Sequence, residues 1–440
     1  MSELPPQARV TLALCAAAAL FEGFDNQSMG VAAPRVIAEF ALSTTQATLI
    51  FSSATIGLFL GAGIGGRVAD FAGRKRTLVA TLLLFGLCSL LTALAVGPKS
   101  LLMMRFLTGL GLGGAMPNFI ALSSESTPVD RRISVVTLIM AAMPFGGAMA
   151  AAVSVAGQVG WRTIFYIGGL VPIVTAILMM RLLPDPRKLD AAIPSAAVHI
   201  ESLASTLFSR DRAPTTALLW TGFFFTQLVL YLMLNWLPSL IIGLGFTRSE
   251  AGWTSVCFNL GGAAGAGFLG KLHAGKHRRQ WVIATYAGMA AALTAVASIT
   301  KVFPVALLAC ALAGVFIVGA QLILFALAPL YYKKAIRGTG VGAAVAVGRL
   351  GSVVGPLFAG VLLAGGGSSA AVLLAIVPFV LLGGCGAFAL TWRIQTNDQP
   401  IRIHRRRRRG CPSIRGQSAR GFPGPRLVCQ QRSRQHVRAS

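Results

Sequence analysis

Apolar runs long enough to cross a lipid bilayer recur from residue 11 to residue 392, and this pattern restricts the fold more than any other feature. A helix that spans the hydrocarbon core needs about 20 residues. Only 12% of the 440 residues are charged, about half the fraction found in soluble domains. The sequence therefore predicts an all-α membrane protein and excludes a soluble enzyme. Twelve transmembrane helices are expected, near residues 11–33, 47–68, 77–96, 101–123, 134–156, 162–182, 215–242, 251–270, 281–299, 303–331, 339–364 and 370–392.

The connections between these runs differ in their content of basic residues. Lys and Arg number 18 in the connections after the even-numbered runs and five in the other connections. Lys and Arg are enriched in short cytoplasmic connections of membrane proteins. Both termini are therefore predicted to lie in the cytoplasm, with the chain crossing the inner (plasma) membrane many times.

The longest internal polar connection divides the predicted spans six and six. Residues 1–183 are expected to form one six-helix bundle and residues 215–398 a second, joined by a cytoplasmic linker at 184–214. A glycine followed by basic residues occurs after the second span and again after the eighth, so the two bundles are expected to be pseudo-symmetric. Two such halves with a binding site between them are a recurring plan of transporters.

The end of the chain, residues 399–440, differs sharply from the rest. Residues 401–440 contain 12 Arg and no Asp or Glu. A segment of this composition cannot bury a packed core and is expected to be disordered. It either holds anionic lipid of the bilayer or has no selected role. The rest of the basic excess lies mostly in short connections, so the net charge of +26 does not predict a nucleic-acid partner.

Two acidic residues lie inside the first apolar run. Glu22 and Asp25 are three positions apart and so share one face of the predicted helix. An ionised group at the centre of a membrane helix costs at least about 2.5 to 3.5 kcal/mol unless it faces a partner or a cavity. Because the two carboxylates also repel each other, at least one is expected to take up and release protons, with Asp25 favoured. The alternative is that both pair with buried arginines and only stabilise the bundle.

Two arginines are the expected partners of anionic groups. Arg105 opens the fourth span and is the natural partner of the first-span carboxylates, unless it only reaches to the membrane interface. Arg349 is the only basic residue within the eleventh span after its first turn. It predicts either a site for an anionic head group or a structural contact with a helix end.

The seventh span carries a stripe of polar and aromatic residues. Gln227, Tyr231 and Asn235 follow each other at i+4 spacing, and Trp236 comes next. This stripe predicts hydrogen bonds and a stacking surface for an aromatic ligand. The alternative is an interfacial belt of Trp and Tyr. Gln321 in the tenth span is a further candidate contact.

Neither a metal site nor a cofactor is predicted. The seven cysteines are odd in number and scattered, and their spacing does not suit a metal. The sequence also lacks a recognisable nucleophile or phosphate-binding motif, so the chain is not expected to be an enzyme.

The segment 66–76, GRVADFAGRKR, closely resembles the signature of the major facilitator superfamily between its second and third helices. Phe71 stands where the family usually has a basic residue. Arg105 with the glycines that follow it is similar to the fourth-helix motif of the family, which is associated with proton coupling. The resemblance implies a cytoplasmic gate that contains Gly66, Asp70, Gly73, Arg74, Lys75 and Arg76.

The motif at 22–25, EGFD, resembles the first-helix motif of the aromatic acid:proton symporter branch of that family, and segments 235–238, 328–332 and 337–356 are similar to the same branch. This resemblance implies a monomer that takes up an aromatic carboxylate with protons by alternating access. The expected substrate is 3-(3-hydroxyphenyl)propionate or a close relative. Two alternatives are a proton-driven exporter of drugs or metabolites with the same fold and a non-transporting membrane sensor or scaffold.

Overall fold

The computed structural model describes residues 5–128, 132–156, 160–183, 208–209, 212–273, 277–299, 301–328, 331–332 and 337–397. Most of the predicted linker at 184–214 and all of the segment 399–440 lie outside these residues. The regular structure of the described part is α-helical, with the bounds α1 (Pro6–Glu39), α2 (Thr44–Ala72), α3 (Arg74–Ala93), α4 (Pro98–Glu125), α5 (Arg132–Val155), α6 (Trp161–Leu182), α7 (Ala213–Gly243), α8 (Arg248–His273), α9 (Arg278–Ala297), α10 (Phe303–Leu327), α11 (Arg337–Ala364), α12 (Ser369–Ala375) and α13 (Val377–Asn397).

Eleven helical segments of the described chain are long and apolar enough to cross a membrane. The predicted span at 251–270 forms a helix, α8, but α8 is not among the eleven because it is rich in glycine and polar side chains. The predicted span at 370–392 is interrupted at Ile376, between α12 and α13. Pro378 follows this break and lacks the backbone N–H that would continue the helix. The all-helical fold is confirmed, and the count of twelve spans stays a prediction.

Short sequence signals define several helix ends. Ser43 and Gln46 form a capping box at the start of α2, with hydrogen bonds of 3.2 and 2.9 Å. This arrangement satisfies two backbone N–H groups of the first turn. Gly73 separates α2 from α3 with φ of +87°, in the left-handed region that favours glycine. The predicted gate segment therefore contains a sharp turn between two helices.

The helices pack first within each half of the chain. In the first half, α1 packs on α5, α2 on α4, and α3 on α4 and α6. In the second half, α7 packs on α11 and α13, and α8 and α9 pack on α10. This pairing fits the predicted division into bundles at 1–183 and 215–398, which stays a prediction.

The most extensive contacts between the two halves are those of α1 with α7, α2 with α11, and α5 with α8. Several of these contacts lie at one end of the bundle. This end contains the α1–α2 and α7–α8 connections. Thr48 near the start of α2 contacts Gly360 near the end of α11, and Val155 at the end of α5 contacts Gly252 near the start of α8. We call this end of the bundle the closed end. The charge bias of the connections predicts that it faces away from the cytoplasm.

Candidate functional site

The central part of α1 is surrounded by protein. Residues 21–33 are buried except for Asn26, because α1 packs against α4, α5, α6 and α7. The polar side chains of Glu22, Asp25 and Gln27 in this stretch are therefore at most 1% exposed. Each buried polar group needs a hydrogen-bond partner or a neutral form to avoid a large desolvation cost.

Asp25 forms an ion pair with Arg105 of α4. The two guanidinium NH groups of Arg105 donate to the two carboxylate oxygens of Asp25, both at 2.9 Å. Asp25 is 0% and Arg105 2% exposed, and the guanidinium also lies 5.5 Å from the centre of the Phe165 ring. Two parallel charge-assisted bonds are the strongest form of this contact. The structure thus brings together the two residues that the sequence paired, and Arg105 does not reach to the membrane interface.

Glu22 lies in a different environment, although it is only three residues from Asp25. It is 1% exposed, and neither of its carboxyl oxygens has a hydrogen-bond partner among the described residues. The charged groups that act on it are Arg349 and Asp25. An ionised carboxylate needs hydrogen-bond partners in a buried site, and Asp25 has them among the described residues whereas Glu22 does not.

Arg349 of α11 is buried between the two halves. It is 5% exposed and donates to the Tyr231 hydroxyl at 2.7 Å and to the Met116 sulfur at 2.7 Å. Tyr231 belongs to α7, whereas Met116 belongs to α4 of the first half. A thioether is a weak hydrogen-bond acceptor. Arg349 is therefore a buried cation with one weak partner that a stronger anionic acceptor can replace.

The stripe on α7 divides into two parts. Gln227 is buried, its Oε1 has no hydrogen-bond partner among the described residues, and its side chain lies beside α11 at Gly348. Gln227 and Tyr231 thus lie on the side of α7 that faces α11. Asn235 instead donates to the Tyr231 carbonyl at 2.8 Å within its own helix.

Trp236 is part of the contact between the halves. Its indole N–H donates to the Pro356 carbonyl at 3.1 Å, and its ring meets the edge of Phe51 of α2 with 4.9 Å between ring centres. It is buried and does not form an interfacial belt. Gln321 of α10 is half-buried and makes no side-chain hydrogen bond with the described residues.

A second polar cluster between the halves was not predicted from the sequence. Gln27 of α1 donates to the Leu234 carbonyl at 3.2 Å and accepts from Asn259 of α8 at 3.0 Å. Close to it, Gly30 lies so near the backbone of Leu234 and Asn235 that a side chain here would overlap the Leu234 carbonyl. Polar residues inside otherwise apolar spans are the signal that would have identified Gln27 and Asn259.

The predicted gate segment is described in part. Arg74 pairs with Glu125 at the end of α4, and Lys75 donates to the carbonyls of Met180 and Leu183 at the end of α6. The basic residues therefore join the ends of three helices of the first half. Gly66 belongs to the last turns of α2 and Arg76 to the first turn of α3, whereas the side chain of Asp70 lies outside the described residues.

Within the described residues, no three His, Cys, Asp or Glu side chains come together in a way that could hold a metal ion. The cysteines of this part of the chain are unpaired thiols.

Comparison with known proteins gives concordant results. Residues 15–247 and 242–416 match the sequence profile of the Major Facilitator Superfamily. The chain is 42% identical over 385 residues to the 3-(3-hydroxy-phenyl)propionate transporter of Escherichia coli (strain K12), covering 87% of this chain and 94% of the relative. It is 30% identical over 414 residues to the gallate transporter of Pseudomonas putida, covering 88% and 91%.

The fold is also similar to that of a solved structure, a bacterial homolog of the human lysosomal transporter Spinster in an inward-facing and occupied conformation. The TM-score is 0.70, at 17% identity over 88% of this chain and 97% of that chain. At this identity the likeness concerns the fold alone. The chain belongs to the Major Facilitator Superfamily, which confirms that it is a multi-pass inner-membrane transporter and not an enzyme.

Proposed function

We propose that this transporter takes up a monovalent aromatic carboxylate, 3-(3-hydroxyphenyl)propionate or a close relative, together with protons. The relatives named above support the substrate class, since one carries 3-(3-hydroxyphenyl)propionate and another gallate. The observation that carries the proposal is that the bundle buries both a cation, Arg349, whose partners are a hydroxyl and a thioether, and a carboxyl group, Glu22, that has no hydrogen bond with the described residues.

In this proposal Arg349 binds the carboxylate of the substrate. The anion replaces the Met116 sulfur, because a carboxylate is a much stronger acceptor for a guanidinium than a thioether. The Tyr231 hydroxyl keeps the other side of Arg349 in place. Gln227 offers a free carbonyl oxygen that accepts a hydrogen bond from a phenolic hydroxyl of the ligand. In this proposal the shape of the binding site also depends on the side chains of Asn235, Trp236 and Gln321.

We assign the proton to Glu22, whereas the sequence alone favoured Asp25. Asp25 already forms an ion pair with Arg105 through two charge-assisted hydrogen bonds. Glu22 has no hydrogen bond with the described residues, so it can take up and release a proton without breaking an ion pair. When Arg349 is occupied by substrate, the positive charge that acts on Glu22 is compensated, and the protonated form is favoured. Proton and anion thus bind together.

The number of protons determines the driving force. With Glu22 as the single carrier, one proton accompanies one anion and no net charge moves. The pH difference then drives uptake with about 1.36 kcal/mol per pH unit, and the membrane potential contributes nothing. A second proton would add about 2.3 kcal/mol per 100 mV.

In this proposal the protein is a monomer with twelve spans and cytoplasmic termini. It takes up substrate by alternating access. The closed end then faces the outside. Contacts such as Gln27 with Asn259 must break when this end opens, while the segment 66–76 and its ion pairs control the cytoplasmic end.

A Glu22→Gln variant tests the proton assignment. Glutamine keeps the size of the side chain but cannot release a proton. We expect exchange of labelled for unlabelled substrate to continue, while accumulation driven by a pH gradient is lost. The exposed Glu39 of the closed end provides the matched control, and Glu39→Gln should accumulate substrate like the wild type. Accumulation of substrate that persists in Glu22→Gln refutes the assignment of the proton to Glu22. Net efflux of substrate by the wild type in cells would instead favour the alternative of a proton-driven exporter.

A further inference from the structure

A cavity of about 340 Å³ lies between α3 and α6, at the end of the bundle opposite the closed end. Its lining is mostly apolar, with two basic residues where α3 begins. The lining residues are Lys75, Arg76, Val79, Ala80 and Leu83 of α3 and Met180 of α6. Val79, Ala80 and Leu83 share one face of α3, because residues three and four apart are neighbours on a helix. We call this space the α3–α6 groove.

The groove begins where the close contact between α3 and α6 ends. In the middle of the two helices, a Cβ atom added to Gly86 would lie 2.7 Å from the Gly169 carbonyl oxygen, and one added to Gly169 would lie 2.6 Å from the Gly86 carbonyl oxygen. Small residues allow two membrane helices to approach this closely. Nearer the end of the bundle the helices carry Val79, Leu83 and Met180 instead, and space remains between them.

The groove opens on an apolar outer surface of the bundle. Ala80 of its lining is exposed, and Met180 is 47% exposed. Further along the two helices, Leu87 and Leu91 of α3 and Val174 of α6 are also exposed. In a membrane protein, an exposed apolar surface of this kind contacts the acyl chains of the bilayer. An acyl chain therefore has direct access to the groove from the side.

Lys75 places a positive charge at the end of the groove. Its ammonium group donates to the carbonyl oxygens of Met180, at 3.1 Å, and Leu183. These carbonyl groups hold the ammonium group in place without cancelling its charge, and they leave one of its three N–H groups for another acceptor. No acidic residue of the described chain lines the groove. Arg76 already has an interaction partner, so the charge available to a ligand is that of Lys75.

We propose that the α3–α6 groove binds one anionic phospholipid from the adjacent leaflet of the bilayer. The lipid phosphate accepts a hydrogen bond from Lys75, and one acyl chain lies along Val79, Ala80 and Leu83. Leu83 is eight residues from Lys75, about 12 Å along the helix axis at 1.5 Å per residue, which leaves room for the head group and the first part of the chain. The bound lipid joins the start of α3 to the end of α6. This inference does not depend on which substrate is transported.

The test measures lipid binding to the purified protein by native mass spectrometry, with phosphatidylglycerol compared with phosphatidylcholine of the same acyl chains. Phosphatidylcholine has the same phosphate but no net charge. The wild type should bind phosphatidylglycerol about fivefold more tightly, the factor that corresponds to about 1 kcal/mol for one basic residue near an anionic lipid surface. Lys75→Gln should reduce this ratio towards one, and Lys75→Arg should retain it. Equal affinity of the wild type for the two lipids would overturn the proposal.

A second pair of variants tests the apolar part of the groove and leaves the hydrogen bonds of Lys75 intact. Ala80→Phe fills the groove and should weaken binding of both lipids at least about threefold, because even a few lost van der Waals contacts of the chain amount to this factor. Ala287→Phe is the matched control. It places the same side chain on an exposed alanine of α9 and should bind lipid like the wild type. Identical lipid binding by Ala80→Phe and Ala287→Phe would refute the site. Because the assay contains no aromatic acid, its outcome is separate from that of the proposed function.

Discussion

Removal of one partner from the buried Asp25–Arg105 pair should strongly destabilise the protein. In Asp25→Asn the amide oxygen can still accept one hydrogen bond, but the guanidinium of Arg105, which is 2% exposed, loses the second bond and remains buried without a counter-ion. Breaking a buried pair in this way costs about 3 to 5 kcal/mol, a large part of the roughly 5 to 15 kcal/mol that stabilises a folded protein. The double variant Asp25→Asn, Arg105→Gln removes both charges and should recover most of this loss.

The assay is equilibrium unfolding of the purified protein in mixed detergent micelles, with uptake measured in parallel. Arg162→Gln is the matched control, because the Arg162–Glu39 pair is about 40% exposed and pairs of this kind contribute about 0 to 1 kcal/mol. We expect the double variant to regain stability but not transport, since the charge coupling between α1 and α4 is absent. If Asp25→Asn were as stable as Arg162→Gln, the buried pair would not hold the bundle as we infer.

Three further predictions follow from the same structure. Tyr231→Phe removes one hydrogen bond from Arg349 and should raise the half-saturating concentration about five- to tenfold, as expected for about 1 to 1.4 kcal/mol; unchanged uptake kinetics would contradict this role. Gly30→Leu places a side chain against the Leu234 carbonyl and should abolish uptake at normal membrane abundance, because the closed end can no longer form; wild-type uptake would show that this contact is dispensable. Deletion of residues 399–440 should leave uptake unchanged, since the proposed site lies within the described helices. If the full chain showed no measurable flux and the deletion abolished a signalling response, the scaffold alternative would be supported.

Much of the site could be predicted because charges are rare in apolar spans. Asp25 and Arg105 were paired from the sequence alone, since each needs a partner in a membrane, and the structure places them 2.9 Å apart. Arg349 and Tyr231 were singled out separately for similar reasons. Their direct contact depends on how α7 and α11 pack, and periodicity along one helix does not contain that information.

Other features depend on contacts between distant parts of the chain. Met116 is an ordinary apolar residue of α4 in the sequence, and only the meeting of the two halves brings it to Arg349. Asn259 is one of several polar residues of α8 in the sequence, and only the placement of Gln27 of α1 beside it reveals the contact between the halves. Trp236 was grouped with a ligand-binding stripe, but adjacent residues of a helix point in different directions, and its ring packs on Phe51. Pro378 is the sequence signal for the interruption at Ile376, and the run at 370–392 still forms one candidate membrane span, Ser369–Trp392.

The central claim is that one proton accompanies each aromatic anion through the site formed by Glu22 and Arg349. The most direct measurement uses the purified protein in liposomes, with substrate-induced current and internal pH recorded together. We predict that an inward pH gradient drives accumulation of 3-(3-hydroxyphenyl)propionate, that addition of the substrate acidifies the interior, and that no current flows. A substrate-induced current, or uptake without proton entry, would contradict the account.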